Sequence, residues 1–337
     1  MSRAPGQNAA GHAVHSERAD PHAYPPTVTY QDLIRKNKRR SALLMAAMIA
    51  LGVVIGGAIG AALGGYGSRG TEGSIGAQLG ASAIVGALAA LAVGSLGAAW
   101  SWFSGSKAVL AMAGAKPIQP GDDPELFNIV DELRIAGGLP MPGVYLMDTD
   151  ALNAFATGRD REHAAVAVTR GLREQLTRDE LAGVMAHELA HIRHLDVRFA
   201  MLMATMVGLI VMASDMAWRM MRYAPRRSSS KNSGGGMAVV LVIAIVLTIV
   251  AVPLAMMIQL AFSREREYLA DAGAVELTRY PEGLIGALQK LQNCEKPLPG
   301  ANRATAHMYI ANPLKKQMHS HQNLNSAFST HPPMQKR

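Results

Sequence analysis

The chain has 337 residues, of which 49% are hydrophobic and only 5% aromatic, and it carries a formal net charge of +8. Its single cysteine, Cys294, excludes an intramolecular disulfide and a cysteine-rich metal site. The basic residues flank apolar runs and build no long basic arm, so no nucleic-acid partner is expected and the charge suits anionic lipid head groups.

In chain order, residues 1–34 read as a disordered tail, rich in Ala, His, Gly and Pro with no apolar period. His12, His15 and His22 within it are read as solvated. Arg35, Lys36, Lys38, Arg39 and Arg40 then form a basic cluster. Residues 35–106 are expected to hold two transmembrane helices, because no residue is charged from Ser41 to Ser68 or from Gly73 to Ser106. Each run exceeds the roughly 20 residues that cross a hydrocarbon core. Gly52, Gly56, Gly60 and Gly64 recur at every fourth position and make a smooth helix face. Packing against the second span is the expected use of that face, with a homo-oligomer contact as the other.

Residues 107–198 are water-soluble in pattern. Pro124–Ala136 reads as an amphipathic helix closed by Gly137 and Gly138, and short strands are expected at Val144–Met147, Leu152–Ala156 and Ala164–Val168. Thr177 and Glu180 have capping-box spacing and open a further helix. Residues 199–263 read as a transmembrane or interfacial helical hairpin: Phe199–Met221 is interrupted by Asp215 and Arg219, and Asn232–Ser263 is uncharged and should kink at Pro253. Residues 264–337 return to a soluble pattern, with helices expected at Arg264–Thr278 and Glu282–Gln292. The two soluble parts together, about 166 residues, suffice for one domain interrupted by the hairpin.

The capped helix carries His187-Glu188-Leu189-Ala190-His191. Residues four apart lie on one helical face, so both imidazoles can reach one ion, and Glu188 is placed to take a proton from a water. Two imidazoles suit Zn²⁺, which in catalytic sites takes three protein ligands and an open position. Glu267 and Asp271 are again four apart on a later helix: Glu267 can be the third ligand, and Asp271 can accept a hydrogen bond from a ligand imidazole. Read without the motif, Ser263–Glu267 is a charged membrane-exit segment with helical ion pairs. His194 is read as a surface residue or one lying behind the ligands, and His307, His319 and His321 receive no role.

The segments Val184–His191 and Ser263–Ala272, with Asn153–Gly158 and Ser329–Pro333, resemble the HtpX family of membrane zinc endopeptidases, relatives of the CAAX prenyl proteases. The resemblance covers roughly residues 35–337. It implies a mainly α membrane protein with four membrane-embedded helical segments and an α+β zincin-type catalytic domain with a small sheet. One zinc ion is then held by His187, His191 and Glu267, with Glu188 as catalytic base and Asp271 behind the ligands. Asn153, Ala154 and Phe155 resemble the family's substrate-binding edge strand, and His331 a histidine near the active site, read here as an oxyanion stabiliser. Arg337 matches an arginine that follows that motif.

The expected activity is hydrolysis of peptide bonds in misfolded or damaged membrane proteins. The alternatives are a prenyl-peptide-type processing protease and a non-catalytic zinc-binding scaffold. Both soluble parts must share one side, since His187 and Glu267 share one ion. The cluster at 35–40 puts that side in the cytoplasm, in a multi-pass protein of the inner membrane. Arg219, Arg222, Arg226, Arg227 and Lys231 oppose a hairpin that crosses fully, so a crossing hairpin and an interfacial one both stay open.

Overall fold

The computed structural model of the chain describes residues 30–67, 75–223, 242–243, 245–294, 296, 298 and 305–311. Two long helices come first, α1 (Tyr30–Gly67) and α2 (Ile75–Met112). They run antiparallel in backbone contact: a Cβ built on Gly60 would lie 2.9 Å from Gly86 Cα, and one on Gly56 would meet Ala90. Real Cβ atoms do not approach so closely, so the glycine stripe is used inside the chain, against α2. Along the outer face of α2, Val85, Leu88, Leu96 and Phe103 are exposed. A continuous greasy face of this kind suits lipid and not water. α2 does not break at residue 106; it continues to Met112, where Val109 and Leu110 enter the core of the next domain.

That domain is a mixed four-stranded sheet backed by helices. β1 (Ala115–Pro117), β2 (Gly143–Met147), β3 (Ala154–Gly158) and β4 (Ala164–Thr169) lie in the order β1-β2-β4-β3. β2 and β4 are parallel, and the outer pairs are antiparallel. The chain joins the parallel pair by way of the outer strand β3, and α3 (Pro124–Gly137) comes between β1 and β2. Asp123 caps α3 by accepting from the Leu126 N–H at 3.1 Å, and Gly138 ends it at φ 62°. Leu126, Ile129, Val130 and Leu133, at helical spacing, are buried on one face of α3.

α4 (Arg170–Gln175) leads into α5 (Arg178–His194), whose capping box is formed as expected: Thr177 Oγ1 accepts from the Glu180 N–H, and a Glu180 carboxylate oxygen accepts from the Thr177 N–H at 2.8 Å. α5 is almost wholly buried, with Leu181, Val184, Met185, Leu189 and Ile192 in the largest apolar cluster. Each such side chain contributes about 1.5–3 kcal/mol on burial. α6 (Asp196–Tyr223) follows after a single residue, Leu195, held at φ 62°. A π-helical turn, Leu247–Ala251, precedes α7 (Val252–Thr278), so the irregularity expected at Pro253 appears as an extra residue in the turn before it. α8 (Pro281–Asn293) packs on α5, where Gly183 admits the α8 backbone.

Among the described residues three helices are long and apolar enough to cross a membrane: Lys38–Ala61, Gln78–Met112 and Asp196–Asp215. The fourth segment expected within 232–263 lies partly outside the described residues, and its apolar described helix, Ile249–Gln259, is shorter than a span. Met48 of α1, Met203 and Val207 of α6 and Ala255 of α7 share one buried cluster, so these helices pack as one bundle.

Candidate metal centre

α5 and α7 face one another where the sequence placed its two spaced pairs. His187 Nε2 and His191 Nε2 are 3.2 Å apart, and the Glu267 carboxylate oxygens lie 3.8 Å from the first and 3.6 Å from the second. Three atoms, each about 2.0–2.2 Å from one ion at tetrahedral angles, would be separated by roughly 3.3–3.6 Å. The donor set and its spacing therefore fit one small divalent cation. Burial of His187 (1% exposed) and Glu267 (4% exposed) keeps the donors from spreading into solvent. Among the described residues these three are the group of metal-ligating type, and His194 does not join it. His194 is instead buried, and burial pushes its imidazole down to about 4, which keeps it neutral.

Each imidazole has a carboxylate at its far nitrogen. Asp271 Oδ1 lies 2.9 Å from His187 Nδ1, as expected, and Asp196 Oδ2 lies 3.3 Å from His191 Nδ1. Such partners fix the tautomer and point the other nitrogen at the ion. Burial alone would lower the His191 pKa, but the Asp196 hydrogen bond and the charges of Glu267, Asp196 and Glu188 outweigh it, and the net shift is upward. A site that draws a proton onto an imidazole in this way is strongly negative, which is the field a divalent cation needs.

Glu188 is buried and lines the same cavity as His187, His191 and Glu267. The other walls come from Ala156 of β3, from Asp196, Val197 and Ala200 of α6, from Arg266, and from His307–Ile310. His307 lies between Gln259 Nε2 at 2.7 Å and the Ala200 carbonyl at 3.2 Å, so it joins α6 to α7 across the cavity rim.

The edge strand holds a difference from expectation. β3 is an outer strand of the sheet, yet the chain's own segment 305–311 lies along part of its free side. Tyr309 bridges Phe155 in antiparallel sense with their rings 5.0 Å apart, and the Ile310 N–H donates to the Ala154 carbonyl at 3.0 Å. The Asn153 side chain reads the backbone of Ala311 twice, donating to its carbonyl at 3.0 Å and accepting its N–H at 3.3 Å. Asn153, Ala154 and Phe155 are thus engaged within the protein, and Ala156 is the β3 residue that reaches the cavity. His331 and Arg337 lie outside the described residues.

Asp196 and Arg266 were not singled out in the sequence. Asp196 follows the ligand helix by two residues, a spacing that implies no shared face until Leu195 turns the chain left-handed. Arg266 looked like one charge in a membrane-exit segment, whereas it is 3% exposed and lies 3.6 Å from Asp196.

The model of peptidase family M48 matches residues 120–337. A protease HtpX homolog of Ligilactobacillus salivarius is 40% identical over 309 residues, covering 90% of this chain and 96% of that protein. A protease HtpX homolog of Syntrophobacter fumaroxidans is 45% identical over 239 residues, covering 70% and 81%. Among solved structures, Ste24p of S. mikatae is a remote likeness, with 20% identity and a TM-score of 0.41 over 70% of this chain and 54% of that one.

Proposed function

The chain belongs to peptidase family M48 and is a membrane metalloendopeptidase, and on that footing we propose that His187, His191 and Glu267 hold one zinc ion and that Glu188 is the catalytic base. The observation that carries this reading is the convergence of the two imidazole nitrogens, 3.2 Å apart, on the Glu267 carboxylate, whose Oε2 lies 3.8 Å from His187 Nε2 and whose Oε1 lies 3.6 Å from His191 Nε2, with Glu188 on the wall of the same cavity. Zinc bound there would supply Lewis acidity, lowering the pKa of a water from about 15.7 towards 7.

The protein's own groups do the rest. Glu188 accepts the proton of the attacking water and passes it to the leaving amine, which needs a carboxylate that is not itself a ligand. Asp271 holds the His187 ring with Nε2 turned inward. His331, which resembles a family histidine near the active site, is proposed here to stabilise charge that develops on the carbonyl oxygen. The substrate enters as an extended strand beside β3, whose Ala156 lines the cavity. Asn153, Ala154 and Phe155 support that seat by holding segment 305–311, and a longer peptide reaching Asn153 has to take the place of Ala311.

The substrates proposed are misfolded or damaged membrane proteins, cut at the cytoplasmic face of the inner membrane. α6 runs from an apolar span directly into the wall of the site, and α2 runs from its own span into the core cluster that holds Met308 and Tyr309, so a peptide leaving the lipid nearby has a short path to the site. Purified wild type and Glu188→Ala are compared in detergent for bound zinc and for cleavage of an unfolded protein. Zinc in both and cleavage only by wild type is expected; equal cleavage by both would remove Glu188 from the mechanism.

A further inference from the structure

The two imidazoles of the site are oriented from different places. His187 is held by Asp271, which shares α7 with Glu267. His191 is held by Asp196, the first residue of α6, a helix long and apolar enough to span the bilayer. Asp196 uses its second oxygen differently: Oδ1 lies 3.6 Å from Arg266 Nη1, and Arg266 is the chain neighbour of Glu267. One carboxylate therefore touches the second ligand with one oxygen and reaches beside the third ligand with the other. Both groups are buried, Asp196 at 6% exposure and Arg266 at 3%, and both line the cavity of the metal donors.

Burying a carboxylate and a guanidinium is costly unless they are paired. Surface placement would have avoided that cost, and the fold does not use it. Held by Arg266 on one oxygen, Asp196 accepts the Nδ1–H of His191 with the other. The Nε2 lone pair is then left facing Glu267 and His187.

We propose that Asp196 and Arg266 form a positioning clamp for the metal centre, in which Arg266 holds Asp196, Asp196 holds His191, and the pair joins the start of the membrane helix α6 to the ligand helix α7. The clamp rests on the reading of His187, His191 and Glu267 as the zinc site. Neither residue touches the reacting atoms. Their effect passes through His191, so it falls on metal affinity first and on turnover only as zinc is lost.

The test measures the zinc dissociation constant of the full-length protein in detergent, by competition with a chromophoric chelator. Asp196→Asn and Arg266→Met are each expected to weaken zinc roughly 10–100-fold, as loss of such an orienting partner does. The double variant is expected to be no worse than the weaker single one, because the two act in series. Arg266→Lys keeps the charge without the planar fork and should fall between wild type and Arg266→Met. It serves where Asp196→Asn does not fold, which thermal melting of the zinc-free proteins reveals. With cobalt in place of zinc, the visible absorption of Asp196→Asn should shift, because the basicity of His191 changes. His191→Ala separates the two readings. Unchanged zinc affinity in His191→Ala would overturn the zinc site and the clamp together. A loss in His191→Ala with wild-type affinity in Asp196→Asn and Arg266→Met would overturn the clamp alone. A raised KM in Arg266→Met at unchanged zinc affinity would overturn it too, placing Arg266 on the substrate instead.

Discussion

Glu188 and Asp123 show how single side chains can be tested apart from the fold around them. Glu188→Gln keeps shape and removes the base, so kcat should fall about 10²–10⁴-fold while bound zinc, read by metal analysis, stays at the wild-type level. Asp123 lies far from that chemistry, capping α3 and paired with Arg173 at 2.6 Å. Burial pulls its pKa upward, but the Arg173 hydrogen bonds and charge and the Leu126 N–H win, and it falls below its ordinary 3.8. A carboxyl with a depressed folded pKa adds stability above its unfolded value and loses it as pH falls through the folded one. Thermal melts should therefore show Asp123→Asn less stable than wild type at neutral pH, with the gap closing on acidification below 3.8; a gap independent of pH would assign the loss to the cap alone. The residues legible in the sequence were those whose partners are four apart on one helix, His187 with His191 and Glu267 with Asp271. Asp196 was not legible, because a left-handed Leu195 brings it back beside His191, and no local spacing announces that turn.

Apart from β1 and α4, which no pattern announced, the helices and strands of the sheet domain were expected close to where they are found, since caps and periodicity are local signals. Thr177 with Glu180 opens α5, and Gly138 closes α3, as each pattern implies. What locality misses is the neighbour from far along the chain. β3 read as a free edge, yet Tyr309 and Ile310 pair with it from more than 150 residues away. Asn153→Ala removes both side-chain hydrogen bonds to Ala311, each with a net worth of about 0.5–1.5 kcal/mol. Thermal unfolding should then fall by an amount corresponding to about 1–3 kcal/mol, and KM for a peptide should rise more than kcat falls, because the wall beside Ala156 loosens. A fall in kcat alone would place Asn153 in the chemistry instead.

For the molecule as a whole, membrane and site are parts of one framework. α1 and α2 are antiparallel, so the exposed basic residues Arg35, Lys36 and Lys38 lie at the same end as the α2 terminus that enters the sheet domain. If that end is cytoplasmic, a membrane-impermeant thiol reagent sorts the surfaces in a Cys294→Ser background. Lys38→Cys and Lys116→Cys should be labelled only after lysis, and Glu72→Cys, between the two spans, in intact cells; the reverse pattern would place the site outside. The sequence by itself indicated three of the apolar runs, and its motifs the family, and it put His187, Glu188, His191 and Glu267 forward as the centre, because charge-free length and four-residue helical spacing are properties of short stretches of chain. Only the tertiary structure decided that the glycine stripe faces α2, that segment 305–311 lies along β3, and that Asp196 and Arg266 stand together behind His191. Each of these joins residues distant in sequence or separated by a left-handed turn, and packing in three dimensions, with no local pattern to signal it, brings them into contact.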